Sequence, residues 1–584
     1  MSIGTAEIAG LLRELAQRTA LRGGSPYRAK AYARAAENLS ALSVPLDQLI
    51  AEDRLREISG VGEAIASIIK RIYTTGTYPA LESMRKEIPE GVLEILTIPG
   101  LRPDQVLKLH KALGINSLAE LEESAKAGRL RATKGFGAAL ESKILQNIKL
   151  RRDSAGQRHL HRAEELLKSA ERHLRSSQLG IMRVTAAGSF RRGCELVSAL
   201  ALVVELPDLA DKPRTISHGN QLTVHLTDAQ RYGITLLLAT GSREHVDELT
   251  ALARSKGLRL DDMGLRRGRT IIASQNEEEI YRALGLPFIP PELREGEGEI
   301  GRAQASALPK LVADSDICGV LHAHTDLSDG VDSLEAMAEA TRARGYHYFG
   351  VADHSRSAHY AGGLSIDEIA AQHGEIDRLN RKYSDGFRIL KGIESDILAD
   401  GSLDYPDEVL ATFDFVVASV HSGFRLDRKA QTDRIIRAVS NPRTTILGHM
   451  TGRQLLRRPG YDVDIPRVLG ACARHGVAVE INANPWRLDL DWRWHQTALD
   501  LGCMLSINPD AHSTREIDLM HWGVEMARKG GVPKGRVLTC LSLAKLEHYL
   551  AARPQPPRPS QRIRSRADRL QSRQQTKSKS RRYG

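Results

Sequence analysis

From Gly319 to Ser513, short apolar runs alternate with longer stretches of helical period, and seven runs stand out. They read "GVLHAHTDLSDG", "YFGVADHS", "ILKGIESDI", "FVVASVHS", "TTILGH", "VAVEINANP" and "MLSINPDAHS". Between them lie amphipathic stretches such as "SLEAMAEATRARG", whose spacing suits the outer layer of a barrel. This alternation predicts parallel strands linked by helices. The first 150 residues follow another pattern. Three stretches, "ISGVGEAIASII" from Ile58, "IPGLRPDQVLKLHKAL" from Ile98 and "KGFGAALESKILQNI" from Lys134, each place a glycine-containing turn before a helix. Between the two regions, "GSFRRGCELVSALALVV" turns tightly and then runs into an apolar strand over 200–204.

A chain of 584 residues exceeds what one core serves, since domains typically hold roughly 100–200 residues. The pattern changes predict a multidomain chain. An α-helical region is expected over 1–150, an α+β unit over 151–292, a linker over 293–316, a (β/α)7 barrel over 317–552 and a disordered tail over 553–584.

Charge sharpens only the last of these. The net charge is +11, but the segment from Arg553 onward holds eleven Lys and Arg against one acid, Asp568. Everything before it therefore carries about +1. The tail is rich in Pro, Ser, Gln and Arg and has almost nothing to pack, so it suits either solubility or polyanion binding by counterion release. Apolar residues at 41% exclude disorder of the whole chain. The five cysteines are far apart with no CxxC spacing, and no apolar run reaches membrane-spanning length. A reducing, cytoplasmic setting without a membrane is expected, for a monomer.

The glycine turns carry the first candidate chemistry. Gly60, Gly62, Gly100, Gly135 and Gly137 let backbone N–H groups approach an anion closely, and each following helix adds its positive end. DNA phosphates fit there without any reading of bases. The middle turn departs by carrying Arg102 where a second glycine is usual. Upstream, "SPYRAKAYARAAENL" is an amphipathic helix bearing Arg28, Lys30 and Arg34.

The barrel carries the second. Parallel barrels place their chemistry at the carboxyl ends of the strands, and six of the seven runs end in a His or an acid. The candidate ligands are His322, His324, Asp329, His354, Glu394, His421, His449, Asp510 and His512. His322 and His324 are i, i+2 on an expected extended segment and so share a side, as do Asp510 and His512. Imidazole and carboxylate suit Zn²⁺, Mn²⁺ or Fe²⁺. Clustered cations would lower the pKa of a bridging water to give hydroxide and would neutralise phosphate oxygens. Arg356 and Arg453, each just after a strand end, are candidate phosphate clamps or surface ion pairs.

These residues and motifs together resemble the bacterial X family of DNA polymerases with a C-terminal PHP phosphoesterase domain, whose hairpin motifs are helix-hairpin-helix elements. The resemblance implies a nucleotidyltransferase-like palm and fingers over 151–292, in which three aspartates hold Mg²⁺. Here those positions read Ala199, Ala201 and Thr223, so polymerase activity is expected to be absent. Ser189, Arg192, Gly241 and Ser242 remain as a vestigial nucleotide pocket. The position of the family's lyase lysine reads Ile68, with Lys70 two residues on, so lyase activity is not expected.

For the barrel, the resemblance implies three metals, Mn²⁺ or Zn²⁺ foremost. His322, His324, Glu394 and Asp510 would hold one, Glu394, His421 and His449 a second, and Asp329, His354 and His512 a third. The expected function is a metal-dependent DNA phosphoesterase, a 3′-5′ exonuclease or 3′-end-processing enzyme of DNA repair, acting on ends or gaps. The alternatives are an active gap-filling polymerase with acids recruited from Glu195 or Glu205, a DNA-end-binding scaffold, and a small-molecule phosphatase.

Overall fold

A computed structural model describes residues 4–552 apart from 41–45, 59, 99–100, 177–179, 208, 210–213, 219–221 and 384–385. The expected basic tail and Gly100 lie outside the described residues. The chain divides into two compact units, 1–155 with 456–458, and 156–455 with 459–584.

The first unit is helical. Each hairpin helix buries one face: in Glu63–Thr75 the buried residues are Ile65, Ala66, Ile68, Ile69 and Ile72. Ile68 thus belongs to the core. Lys70 instead pairs with Asp53. Two clusters fill the interior, one from Ile8 to Leu81 and one that joins Leu21 to residues 88–148.

In the second unit, after the helix Leu160–Ser176, comes a four-stranded palm sheet of β1 (Arg183–Ala187), β2 (Leu200–Glu205), β3 (Arg214–His218) and β4 (Leu222–Thr227). Their order is β1-β2-β4-β3, with β2 and β4 parallel. Strand β2 is apolar because both its faces are buried. Leu200, Leu202 and Val204 enter a core continuous with the barrel, while Ala201 and Val203 pack with Ala187, Tyr232 and Leu236. Three short antiparallel strands follow, β5 (Arg259–Asp261), β6 (Gly264–Arg267) and β7 (Thr270–Ala273).

The segment expected as a linker, 293–316, is packed. It contains the helix Glu299–Gln304, whose Ile300 and Ala303 join the cluster around the β5–β7 sheet, and its Val312 enters the barrel core. Its Pro, Glu and Gly content reads as loop, but its few apolar side chains find partners far along the chain.

The barrel strands are β8 (Gly319–Leu321), β9 (Tyr348–Val351), β10 (Arg388–Asp396), β11 (Phe415–Ser419), β12 (Ile446–Leu447), β13 (Ala478–Asn482) and β14 (Leu505–Asn508). All pair in parallel and in sequence order. The first and last come together just beyond their ends, where His324 N donates to Ala511 O at 2.8 Å. The fold is the expected multidomain one of helical hairpins, α+β palm and nearly closed seven-stranded barrel. Among the described residues, no helix is long and apolar enough to cross a membrane.

Candidate metal centre

The carboxyl ends of the barrel strands bring the nine candidate ligands into one cluster. Glu394, near the end of β10 and 1% exposed, is its hub. Glu394 Oε1 lies 3.0 Å from His449 Nε2, 3.3 Å from His322 Nε2 and 3.4 Å from His421 Nε2. Glu394 Oε2 lies 3.0 Å from His354 Nδ1 and 3.8 Å from His324 Nε2. Asp510 Oδ1 is 3.2 Å from His324 Nε2 and 3.6 Å from His322 Nε2. Asp329 completes the outer edge, 3.3 Å from His512 Nε2 and 3.5 Å from His354 Nε2.

Ligand atoms come within reach of a common ion in three overlapping groups. These are His324, Asp329, His354 and His512; His322, His324 and Asp510; and His354, Glu394 and His421. The grouping implied by the resemblance put His354 with Asp329 and His512 alone. In the structure its two ring nitrogens face both Asp329 and Glu394, so it stands between two groups. His324 likewise contributes to two.

A buried polar atom without a partner costs free energy. His322 Nε2, His324 Nδ1, His354 Nδ1, His449 Nδ1 and both oxygens of Glu394 are buried with no hydrogen-bond partner. A nitrogen and oxygen donor set of this kind fits divalent cations. Electrostatics agree. Burial alone would raise the Glu394 carboxyl, yet His421, His322 and His354 hold it well below the carboxylate range. Burial opposes the charged form of His354, but Glu394 and Asp329 push it up to about 10. Glu394 is therefore ionised and His354 carries a proton where a cation would sit, and a bound cation would displace that proton.

Two ligand candidates have backbones that the sequence does not announce. His322 and Asp510 adopt φ of 102° and 53°, in the left-handed region. His322 therefore lies past the end of β8 and not on an extended run. Such conformations persist where surrounding structure enforces them, and they cluster at functional sites.

A ring of supporting carboxylates escaped the sequence reading. Glu480 accepts from His322 Nδ1 at 2.6 Å and from the backbone N–H of His449 at 2.7 Å. Asp396 accepts from His421 Nδ1 at 2.5 Å. Asp353 accepts from Thr325 N at 2.7 Å, Ser328 Oγ at 2.5 Å and Gln372 Nε2 at 2.6 Å, anchoring the loop that carries Asp329. The signals were faint: Asp396 lies two residues from Glu394 on the same side, and Glu480 is the lone acid of the run that supplied no ligand.

The two clamp candidates part company. Arg356 is half-exposed, 3.5 Å from Asp404, and lines a cavity of about 410 Å³ with His359 and Ser365. Arg453 donates to Arg487 O at 3.0 Å, Asp491 Oδ2 at 2.5 Å and Leu488 O, and its side chain is 12% exposed. Its guanidinium is committed to pinning that loop, which corrects its reading as a clamp. Arg487, 3.6 Å from Asp510, reaches the cluster.

In the palm, Ala201 lies in register with Thr223 on β4 and with Ala187 on β1. The positions read as lost acids therefore adjoin, with Ala199 two residues upstream. Arg192 Nε donates to Glu295 Oε1 at 2.8 Å and its Nη1 to Thr240 O at 2.7 Å. Ser242 caps the helix Arg243–Ser255 by accepting from His245 N, directly after Gly241. In the hairpins, Gly60 and Gly135 have φ of 78° and 98°, and Gly62 and Gly137 are N-caps without a side-chain partner. The middle helix differs: the Arg102 backbone N–H donates to Gln105 Oε1 at 3.0 Å, and its guanidinium pairs with Asp104.

Comparisons with known proteins match these parts. Family models described as helix-hairpin-helix domain, SAM-like helix-hairpin-helix tandem and DNA polymerase beta thumb match residues 4–78, 92–149 and 235–295. The barrel is similar to two proteins each named "Probable phosphatase". One, from Edwardsiella ictaluri (strain 93-146), is 28% identical over 247 residues, 40% of this chain and 95% of that protein. The other, from Thermoanaerobacter sp. (strain X514), is 28% identical over 176 residues, 28% of this chain and 69% of that protein. Fold and site thus define a DNA-processing protein of the X-polymerase class that carries a PHP barrel. Over 569 residues, 93% of this chain and 99% of the relative, it is 34% identical to "DNA polymerase/3'-5' exonuclease PolX" of Bacillus subtilis (strain 168). The chain belongs to the PolX family.

Proposed function

We propose that this protein is a metal-dependent DNA phosphoesterase, a 3′-5′ exonuclease or 3′-end-processing enzyme, whose palm positions DNA and does not polymerise. The observation that carries the reading is the gathering of nine ligand-type side chains, Glu394 among them as the hub, into one cluster that holds buried atoms without hydrogen-bond partners. Divalent cations bound there would polarise phosphate oxygens and activate water. His322, His324, Glu394 and Asp510 would hold one ion, Glu394, His421 and His449 a second, and Asp329, His354 and His512 a third, with His324 and His354 able to turn to a neighbour. Arg356 and Arg487 would neutralise and orient the phosphate. The hairpins would grip the backbone of the DNA, and the matching hairpin families and the name of the Bacillus relative support DNA as substrate.

Loss of polymerisation is supported by the chemistry of the palm. Phosphoryl transfer to a 3′ oxygen needs carboxylates for its metals, and Ala199, Ala201 and Thr223 offer none. The nearby acids are engaged elsewhere: Glu195 accepts from Trp492 Nε1 at 2.9 Å and Arg493 Nη1 at 2.7 Å, and Glu205 pairs with Arg183. The test is digestion of 3′-end-labelled DNA with Mn²⁺ by wild type and Glu394→Ala, beside primer extension on a gapped duplex. Digestion only by wild type, with no extension by either, is the expected result. Equal digestion by the variant would overturn the site, and robust extension would overturn the inactive palm.

A further inference from the structure

The turn that follows the His354 strand end, residues 355–364, is held rigidly from both sides. Leu364 N donates to His354 O at 2.9 Å, and Arg356 N donates to Tyr405 Oη at 3.0 Å. Tyr405 Oη in turn donates to Leu364 O at 2.5 Å. Ala358 and Ala361 are buried as its roots. Gly363 passes so close to Ser355 that an added Cβ would collide with the Ser355 carbonyl.

From this fixed turn projects Tyr360, 71% exposed. Its ring centroid lies 6.1 Å from that of His354 and 6.4 Å from that of His421. A large aromatic ring this exposed does little for the core. The Asp329 loop adds two more exposed apolar side chains, Leu327 and Val331, and its Ser328 packs near Gly362 of the same turn.

An exposed aromatic ring on a rigid support is what stacks a nucleobase without reading its sequence, because every base presents a π-face. We propose that Tyr360 is the platform on which the base of the DNA strand's terminal nucleotide stacks while its phosphodiester lies at the metal cluster. The inference rests on the DNA-phosphoesterase reading and adds a recognition element for the substrate beside the cations.

The test uses the full chain and a single-stranded oligonucleotide with 2-aminopurine at its 3′ end, whose fluorescence stacking quenches. Binding is read in EDTA, so that no cleavage intervenes. Hydrolysis is read separately with Mn²⁺ on 3′ ends that carry a base and on 3′ ends that lack one. Wild type and Tyr360→Phe should quench, and Tyr360→Ala should not. Tyr360→Ala should raise KM about tenfold on ends with a base, the size of effect that base–aromatic stacking supplies, with kcat within about twofold and little change on abasic ends. Quenching unaffected by Tyr360→Ala would overturn the platform. So would Tyr360→Phe failing as Tyr360→Ala does, which would point to the hydroxyl. If DNA stays uncut while Tyr360-dependent quenching persists, the hydrolytic reading falls and the platform stands.

Discussion

Glu480 Oε1 lies 2.6 Å from His322 Nδ1, and that contact fixes which nitrogen of His322 faces the cluster. With its Nδ1–H donated to a buried carboxylate, the ring presents Nε2 toward Glu394 and Asp510. The same Glu480 accepts from His449 N, from Asn482 Nδ2 at 3.2 Å and from Asn508 Nδ2 at 2.8 Å. It therefore ties the ends of strands β8, β12, β13 and β14 together beneath the ligands. Outer carboxylates of this kind typically contribute about 10–100-fold to metal affinity. Glu480→Ala should weaken Mn²⁺ binding by about that factor in calorimetric titration, and Glu480→Gln, which keeps an acceptor oxygen, should lose less. Unchanged Mn²⁺ affinity in Glu480→Ala would refute this role.

The ligand candidates stand out in the sequence for the reason that Glu480 does not. A His or acid directly after a short apolar run announces itself, because strand ends open onto the catalytic face of a barrel. Glu480 sits within a strand, and only its neighbours across the sheet turn a buried acid into a support. Arg453 misled in the opposite direction. A cation after a strand end suggests phosphate, but its partners are carbonyls of a loop more than thirty residues away. The packed 293–316 segment was hidden likewise, since Ile300 and Ala303 are too few to show a helical period. The left-handed backbone at His322 and Asp510 leaves no mark in residue type at all.

Ala201 is part of a small core with Ala187, Tyr232 and Leu236, so a carboxylate cannot be placed there on its own without cost. Ala201→Asp should lower stability by about 1–3 kcal/mol, the cost of an unsatisfied buried polar group. Mg²⁺ should not rescue that single variant in thermal melts. The triple change Ala199→Asp, Ala201→Asp and Thr223→Asp places three carboxylates on adjoining positions and should gain a Mg²⁺-dependent rise in melting temperature. A triple variant blind to Mg²⁺ would show that the three positions do not converge.

Glu277 is buried between two arginines, accepting from Arg191 Nη1 at 2.9 Å and Nη2 at 2.7 Å and from Arg294. Burial would raise its pKa, but Arg294 and Arg191 hold it below the ordinary value of 4.5. A depressed folded pKa means that the contribution is fully present above 4.5 and fades as acid protonates the folded carboxylate. Glu277→Gln strands buried Arg294 and should cost about 3–5 kcal/mol at neutral pH. The penalty should shrink as pH falls below 4.5. Denaturant unfolding of wild type and variant at pH 7 and in acid measures both, and a penalty independent of pH would remove Glu277 from the account.

Gly62 and Gly137 each cap a hairpin helix without a side-chain partner, and an added Cβ at either meets nothing within 4 Å. Aspartate therefore fits at both places, and as a good N-cap residue it should leave the helix as stable or raise stability by a few tenths of a kcal/mol. Its carboxylate would also occupy the amides that a DNA phosphate would use, and would repel the phosphate itself. Gly62→Asp and Gly137→Asp should each weaken DNA binding to a similar degree on any sequence. Each should also flatten the slope of log K against log salt by about 0.9, the value of one lost phosphate contact. In the middle hairpin Gln105 already takes the Arg102 amide, so Gln105→Ala should leave the slope unchanged. Binding isotherms across a salt series read all three variants, and an unaltered slope in both glycine variants would remove these turns from the DNA interface.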